Sequence, residues 1–167
     1  AGAVAGAVSA TPQAGGSSVS LRTHEWFGDK LEQFEFPPGW RISVQHMKGY
    51  NTPALAPAAI REAVRNPVGA LPLREIAAGK RTVAIAFDDL TRPTPTYEIV
   101  PYVIEELRAA GIQDENILFV TAYGAHYQMN GLEVAKKLGE QTVRRHAWIN
   151  HNIRENLADL GTTKAGN

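Results

Sequence analysis

Apolar positions along this chain change period several times, and each change marks an element. Thr82-Val83-Ala84-Ile85-Ala86-Phe87 is a short apolar, β-branched run, the signature of a strand buried on both faces. From Tyr97 to Ala110 the apolar residues Ile99, Val103, Leu107 and Ala110 recur at helical spacing. Gly111 stands as the residue just past the helix end, and Pro101 lies inside it, where it should bend the helix. Asn116-Ile117-Leu118-Phe119-Val120-Thr121-Ala122 reads as a second buried strand. Asn130, with Glu133 three residues on, has the form of a capping box that opens a helix stopping at Gly139. His146 to Asn150 reads as a third strand with His151 at its end. Two consecutive strand–helix–strand units of about 30 residues each predict a parallel sheet. The fold class is therefore α/β: a Rossmann-like parallel sheet with flanking helices.

Upstream the period becomes two. Leu31 to Phe36 and Trp40 to His46, on either side of Pro37-Pro38-Gly39, predict an N-terminal β-hairpin with Trp40, Ile42, Val44 and His46 on one face. On such a face His46 is expected to be a packing residue rather than a ligand. Pro57 opens a short helix, Ala58 to Arg65, that stops near Asn66-Pro67, and Pro72 opens another that ends at Gly79.

Ala1 to Ser20 carry no charge and are nearly all small residues, so residues 1–22 are expected to be a disordered or leader segment. A sharper alternative is the tail of an export signal, since Val8-Ser9-Ala10 fits a small-residue cleavage pattern. Residues 23–167 are then the α/β domain. Three parallel strands make a thin sheet, and residues 155–167 offer no closing element, so further chain or a partner is expected to complete it.

Composition narrows the function classes. Lys+Arg and Asp+Glu both number 17, leaving no net field for nucleic acid or an anionic membrane. The absence of cysteine excludes a disulfide framework, thiolate metal sites and a cysteine nucleophile. No apolar run approaches the ~20 residues a membrane-spanning helix needs.

Candidate chemistry concentrates where strands end. In open α/β sheets ligands bind at the carboxyl ends of the strands. The first strand is followed by Asp89-Leu90-Thr91-Arg92, which places a carboxylate, a hydroxyl and a guanidinium within four residues. Thr94 and Pro95 follow as an N-cap and first-turn pair, and free backbone N–H groups there would favour an anion. The second strand is followed by Gly124-Ala125-His126, where the glycine allows close backbone approach and the histidine exchanges protons near neutral pH. Together these ends suggest a site for an anion and a movable proton. The plainer reading of Asp89-x-Thr91-Arg92 is a turn held by its own hydrogen bonds. No Gly-x-Gly-x-x-Gly, P-loop, Gly-x-Ser-x-Gly or His-Glu-x-x-His signature occurs. His24, His146 and His151 lack a second metal ligand at helical spacing, so no protein-only metal site is expected.

Asp89-Leu90-Thr91-Arg92-Pro93-Thr94-Pro95, the helix ending Glu105-Glu106-Leu107-Arg108-Ala109-Ala110-Gly111-Ile112, Glu115-Asn116-Ile117, Gly124-Ala125-His126, and Asn150-His151 with Leu160-Gly161-Thr162-Thr163 resemble the N-terminal part of the nickel-pincer lactate racemases. Asn66-Pro67-Val68-Gly69 and Pro72-Leu73-Arg74-Glu75 are similar too, and the match runs from Trp26 to Asn167. The resemblance implies a racemase or epimerase of a lactate-like 2-hydroxy acid, whose cofactor is a nickel-pincer nucleotide, a pyridinium mononucleotide with two thio-carboxyl groups that clamp nickel. It implies hydride transfer from the substrate Cα while a histidine removes the hydroxyl proton. By position, Asp89, Leu90, Thr91 and Arg92 correspond to the cofactor-binding turn, and His126 to one of two catalytic acid/base histidines.

The resemblance also implies that the second histidine, the cofactor-tethering lysine, the nickel-ligating histidine and the residues for the substrate carboxylate belong to later segments. The remainder of the same enzyme beyond residue 167 is thus an expected partner. Ala125 stands where the family usually has threonine, and Tyr127 where an arginine often follows, which points to a different 2-hydroxy acid or a different reaction on one. Cofactor insertion implies the cytoplasm, with export as the alternative if the leader is a signal remnant. The competing function is a non-catalytic α/β domain binding a nucleotide or phosphate at the same strand ends.

Overall fold

The computed structural model describes residues 10–13, 16–23, 26–28, 30–46, 48–50 and 52–166. The chain divides into two compact units, Ala1–Ala56 and Pro57–Asn167.

The first unit holds an antiparallel sheet of β1 (Ala10–Gln13), β2 (Gly16–Thr23) and β3 (Lys30–Phe36) in the order β1-β2-β3. The partner of β3 is β2, with Val19 opposite Phe34 and Leu21 opposite Glu32. This corrects the expected pairing of Leu31–Phe36 with Trp40–His46. Residues 40–46 belong to no strand, and the Trp40 N–H turns back to the Pro37 carbonyl at 3.3 Å. Period two makes a strand possible, but a ladder partner makes it one. Here that partner begins inside the uncharged Ala1–Ser20 stretch and runs on to Thr23, with Val19 and Leu21 alternating with Ser18, Ser20 and Arg22. Average composition concealed that alternation; residues 1–9 of the leader, and His24, lie outside the described residues. His46 is exposed and stacks on Tyr50 instead of packing on a strand face.

The second unit carries α1 (Pro57–Arg65), α2 (Leu73–Ile76), β4 (Val83–Phe87), α3 (Thr96–Ala109), β5 (Ile117–Thr121), α4 (Gly131–Leu138), α5 (Glu140–Arg145) and β6 (Ala147–Asn150). β4, β5 and β6 form a parallel sheet in that order, with Phe87 level with Thr121 and Thr121 level with Asn150. The α/β class and the two strand–helix–strand units stand as read from the sequence. One face of the sheet is sealed: Phe87, Ile117, Phe119 and Thr121 are buried, and Phe119 meets Phe87 edge-on. The other face is not, since Ala84 and Ala86 of β4 are exposed. The expectation of a β4 strand buried on both faces is thus corrected.

α3 buries Leu107 of the predicted stripe, together with Val100, Ile104 and Glu106, while Ile99 is exposed. The helix runs unbroken through Pro101. It ends in a Schellman motif: Gly111, at φ +91°, donates to the Arg108 carbonyl at 2.9 Å and Ile112 to the Leu107 carbonyl at 3.1 Å. α4 starts with a full capping box, in which the Asn130 side chain accepts from the Leu132 and Glu133 N–H groups and Glu133 returns a bond to the Asn130 N–H. After Gly139 the chain restarts at once as α5, which the sequence reading passed over.

Buried Glu106 ties the helices together. Arg74 grips it bidentately, at 2.6 Å on each oxygen, and Arg65 adds a bond at 3.3 Å. These bonds hold the Glu106 carboxyl below the ordinary carboxylate range, Arg74 contributing most, against the upward push of burial.

Candidate functional site

The carboxyl ends of β4 and β5 lie side by side, so the segments that follow them share one edge of the sheet. After β4 the chain makes a turn over Asp89–Arg92, closed by the Arg92 N–H on the Asp89 carbonyl at 3.2 Å. Inside it the Asp89 carboxylate accepts from the Thr91 N–H at 3.0 Å and from the Thr91 hydroxyl at 2.5 Å, both on Oδ1. This is the self-held turn anticipated as the plainer reading, and it uses only one oxygen of the carboxylate.

The other oxygen reaches across to the segment after β5. Asp89 Oδ2 stands 2.7 Å from His126 Nδ1. His126 is carried by a turn that begins where Gly124 takes φ +61°, a backbone conformation suited to glycine, and closes with its own N–H on the Tyr123 carbonyl at 3.1 Å. Further along, Asn150 at the end of β6 fixes that loop by bonding both the N–H and the carbonyl of Met129, at 3.2 and 2.8 Å.

Burial separates the two partners. The Asp89 side chain is 4% exposed and the His126 side chain 46%, so the carboxylate sits beneath the imidazole and the ring presents its far edge outward. Burial pushes the Asp89 carboxyl up most strongly, but the bonds from Thr91 and His126 outweigh it, and the group lies below its ordinary value. It is therefore ionised at neutral pH. A carboxylate beside Nδ1 assigns the ring proton to that nitrogen and leaves Nε2 as the acceptor on the exposed side. An arrangement of this kind takes a proton from a hydroxyl and balances the imidazolium that results.

The guanidinium joins the same cluster. Arg92 Nη1 lies 3.3 Å from Thr91 Oγ1, which is 3.5 Å from His126 Nδ1. Arg92 is exposed, and its guanidinium donates to the Thr91 hydroxyl. Of the four turn residues singled out in the sequence, Asp89, Thr91 and Arg92 gather around His126. Leu90 faces inward and is 8% exposed, so its side chain belongs to the core. The helix start contributes less than anticipated: Thr94 makes no side-chain cap, and the N–H groups of Thr96 and Glu98 already bond to Thr94 and Pro95. Tyr127, next to His126, is half exposed with its hydroxyl 3.4 Å from Glu133; burial, then the Glu133 carboxylate, pushes the phenol up.

A lysine the sequence reading did not single out holds the turn from below. Lys137 of α4 is fully buried, and its ammonium donates to the carbonyls of Arg92 and Thr94 at 2.8 and 3.0 Å and pairs with Asp88 at 3.1 Å. Its signal was present: Val134, Lys137 and Leu138 fall on one helical stripe, which sets a charge among core positions. His146 and His151 stay outside the cluster. His146 is buried against Phe119 with Nδ1 on the Thr142 carbonyl, and His151 lies near the Tyr123 ring. Among the described residues no group of three His, Asp or Glu side chains is disposed to hold a metal ion, and no helix is long and apolar enough to cross a membrane.

Comparison with known proteins gives a consistent result. Residues 27–167 match the family model described as the lactate racemase N-terminal domain. The lactate racemase of Thermoanaerobacterium thermosaccharolyticum is 30% identical over 109 residues, which is 64% of this chain and 25% of that protein. The lactate racemase of Lactiplantibacillus plantarum is 32% identical over 92 residues, 55% of this chain and 22% of that protein. Among solved structures, the lactate racemase apoprotein from T. thermosaccharolyticum superposes with a TM-score of 0.58 at 28% identity, covering 66% of this chain and 27% of that one. The chain thus spans about a quarter of the length of the curated relatives it matches.

Proposed function

This chain belongs to the lactate racemase N-terminal domain family, and from that premise we propose that it supplies one acid/base histidine and an anion-binding turn to a racemase or epimerase of a lactate-like 2-hydroxy acid. The observation that carries the reading is the 2.7 Å contact between the buried Asp89 carboxylate and the outward-facing His126 ring, with Arg92 gathered at the same point through Thr91.

In this reading His126 Nε2 removes the proton of the substrate hydroxyl and later returns it. Asp89 keeps the proton on Nδ1 and offsets the positive charge the ring acquires, a positioning task rather than proton transfer of its own. Thr91 fixes the Asp89 carboxylate from the other side, so that its free oxygen is aimed at the ring. Arg92 offers an exposed guanidinium to an anionic group, the carboxylate of a 2-hydroxy acid or the phosphate of a nucleotide.

The donor set also bears on the cofactor the family resemblance implies. Arg92 and the Thr91 hydroxyl suit the phosphate and hydroxyls of a nickel-pincer mononucleotide, whereas none of the described residues is grouped to hold nickel itself. When bound, such a cofactor supplies the acceptor for the hydride that leaves the substrate Cα. The residues here would hold its nucleotide portion and manage the hydroxyl proton.

The test is the full-length gene product, made in cells able to produce the cofactor. It should hold nickel, absorb in the visible, and interconvert the enantiomers of a 2-hydroxy acid without placing solvent deuterium on Cα. A colourless, metal-free protein would refute the reading, and tight binding of an unmodified mononucleotide by such a protein would favour a binding domain in its place.

A further inference from the structure

The turn that carries Asp89, Thr91 and Arg92 is closed by its own hydrogen bonds, but the segment into which it runs is also held from outside. It continues as Arg92-Pro93-Thr94-Pro95, and the two prolines bring no backbone N–H groups to the segment. Within the segment the Thr94 carbonyl takes the Thr96 N–H at 2.8 Å, and the carbonyls of Arg92 and Thr94, with two lone pairs each, both have room for a donor from elsewhere. They find one in the Lys137 ammonium, at 2.8 and 3.0 Å, with the Asp88 carboxylate at 3.1 Å. Asp88 accepts in addition from the Thr96 hydroxyl at 3.3 Å, which joins the start of α3 to the same point. At least three oxygens converge on this ammonium. Burying a lysine completely is costly unless it is paired and bonded. An apolar residue would fill the same position on the stripe with Val134 and Leu138, so packing alone does not call for a charge here.

We propose that Lys137 is the positioning residue of this site: its ammonium stands where a bound cation would, drawing together two carbonyls of the proline turn and the Asp88 carboxylate so that Arg92 and the Asp89–His126 pair stay in one register. The inference rests on reading Asp89, Thr91, Arg92 and His126 as a single site. It does not make Lys137 a catalytic residue, because the side chain is sealed beneath the turn and has no exposed surface.

The experiment uses the full-length gene product with ¹⁵N-labelled histidine, in which long-range ¹H–¹⁵N correlation reports which ring nitrogen of His126 carries the proton. The parent should show the proton on Nδ1. Lys137→Met, close in length and uncharged, should stay folded by circular dichroism, lose the single tautomer in favour of a mixture, and racemise its 2-hydroxy acid at least tenfold more slowly. Lys137→Ala should behave likewise and recover the Nδ1–H pattern saturably with propylammonium, which replaces the missing part of the side chain, but not with equal tetramethylammonium. The proposal is overturned if folded Lys137→Met keeps the parent tautomer, if tetramethylammonium restores Lys137→Ala equally well, or if neither variant folds, since the lysine would then serve the fold and not the site. The tautomer readout needs no turnover, so a parent that fails to racemise contradicts the functional reading and leaves this inference to be decided by the spectra.

Discussion

Asp89 Oδ2 and His126 Nδ1 lie 2.7 Å apart although 37 positions separate them in the chain. The parallel pairing of β4 with β5 brings the two strand ends level, and the residues after each end complete a buried carboxylate under an exposed imidazole. A carboxylate–imidazole pair is thereby built from two loops and held by a sheet.

Replacing the carboxylate isolates its role. Asp89→Asn keeps the size of the side chain but offers the ring a group that can no longer hold the Nδ1 proton by charge. In the full-length enzyme kcat is expected to fall about 10²–10⁴-fold, the range for a general base that has lost its orienting partner, with KM little changed. Steady-state kinetics on the variant check this. A loss confined to KM would assign Asp89 to substrate binding.

The coupling runs in both directions. His126 helps hold the Asp89 carboxyl below its ordinary value, after the bond from the Thr91 hydroxyl. In His126→Ala the carboxyl should titrate at higher pH than in the parent, read from its ¹³C shift. An unchanged titration would mean that the two groups do not interact in solution.

Arg92 is the exposed cation of the cluster. Arg92→Met is expected to weaken binding of the anionic ligand roughly tenfold to a hundredfold, the worth of one charge-assisted bond. Calorimetry on the full-length protein with the nucleotide cofactor and with the 2-hydroxy acid would show which of the two anions it serves.

Acid should act through Glu106. Its folded carboxyl is depressed, so its stabilising contribution is complete above the unfolded value, about 4.3, and is lost as the pH falls through the folded value. Glu106→Gln should lower stability at pH 7 by about 2 kcal/mol, a figure moderated because both arginines are partly exposed. It should also flatten the loss of stability below about pH 4. Urea unfolding as a function of pH measures both, and parallel curves for parent and variant would exclude the mechanism.

Much of this was legible in the residue order. Local rules fixed the capping box at Asn130, the Schellman end at Gly111 and the three strands, because each depends on neighbours within a turn or on a short apolar run. The same rules marked Asp89, Thr91, Arg92 and His126 as chemically loaded strand ends. What stayed hidden depends on distant partners. The pairing of β3 with β2 was masked by a leader whose small residues look featureless in bulk. The Asp89–His126 contact required the strand register, and the clamp by Lys137 required knowing that α4 passes beneath the proline turn. Leu90, by contrast, lies within the same motif but turns its side chain into the core.

The role of His126 is tested most directly by comparing the full-length protein with its His126→Ala variant, each assayed for interconversion of D- and L-forms of its 2-hydroxy acid and for bound nickel and visible absorbance. The expected result is loss of interconversion by at least a hundredfold, on the order of what a general acid/base contributes, with nickel and absorbance retained. Interconversion at the parent rate in the variant would contradict the assignment of His126 as the group that moves the hydroxyl proton.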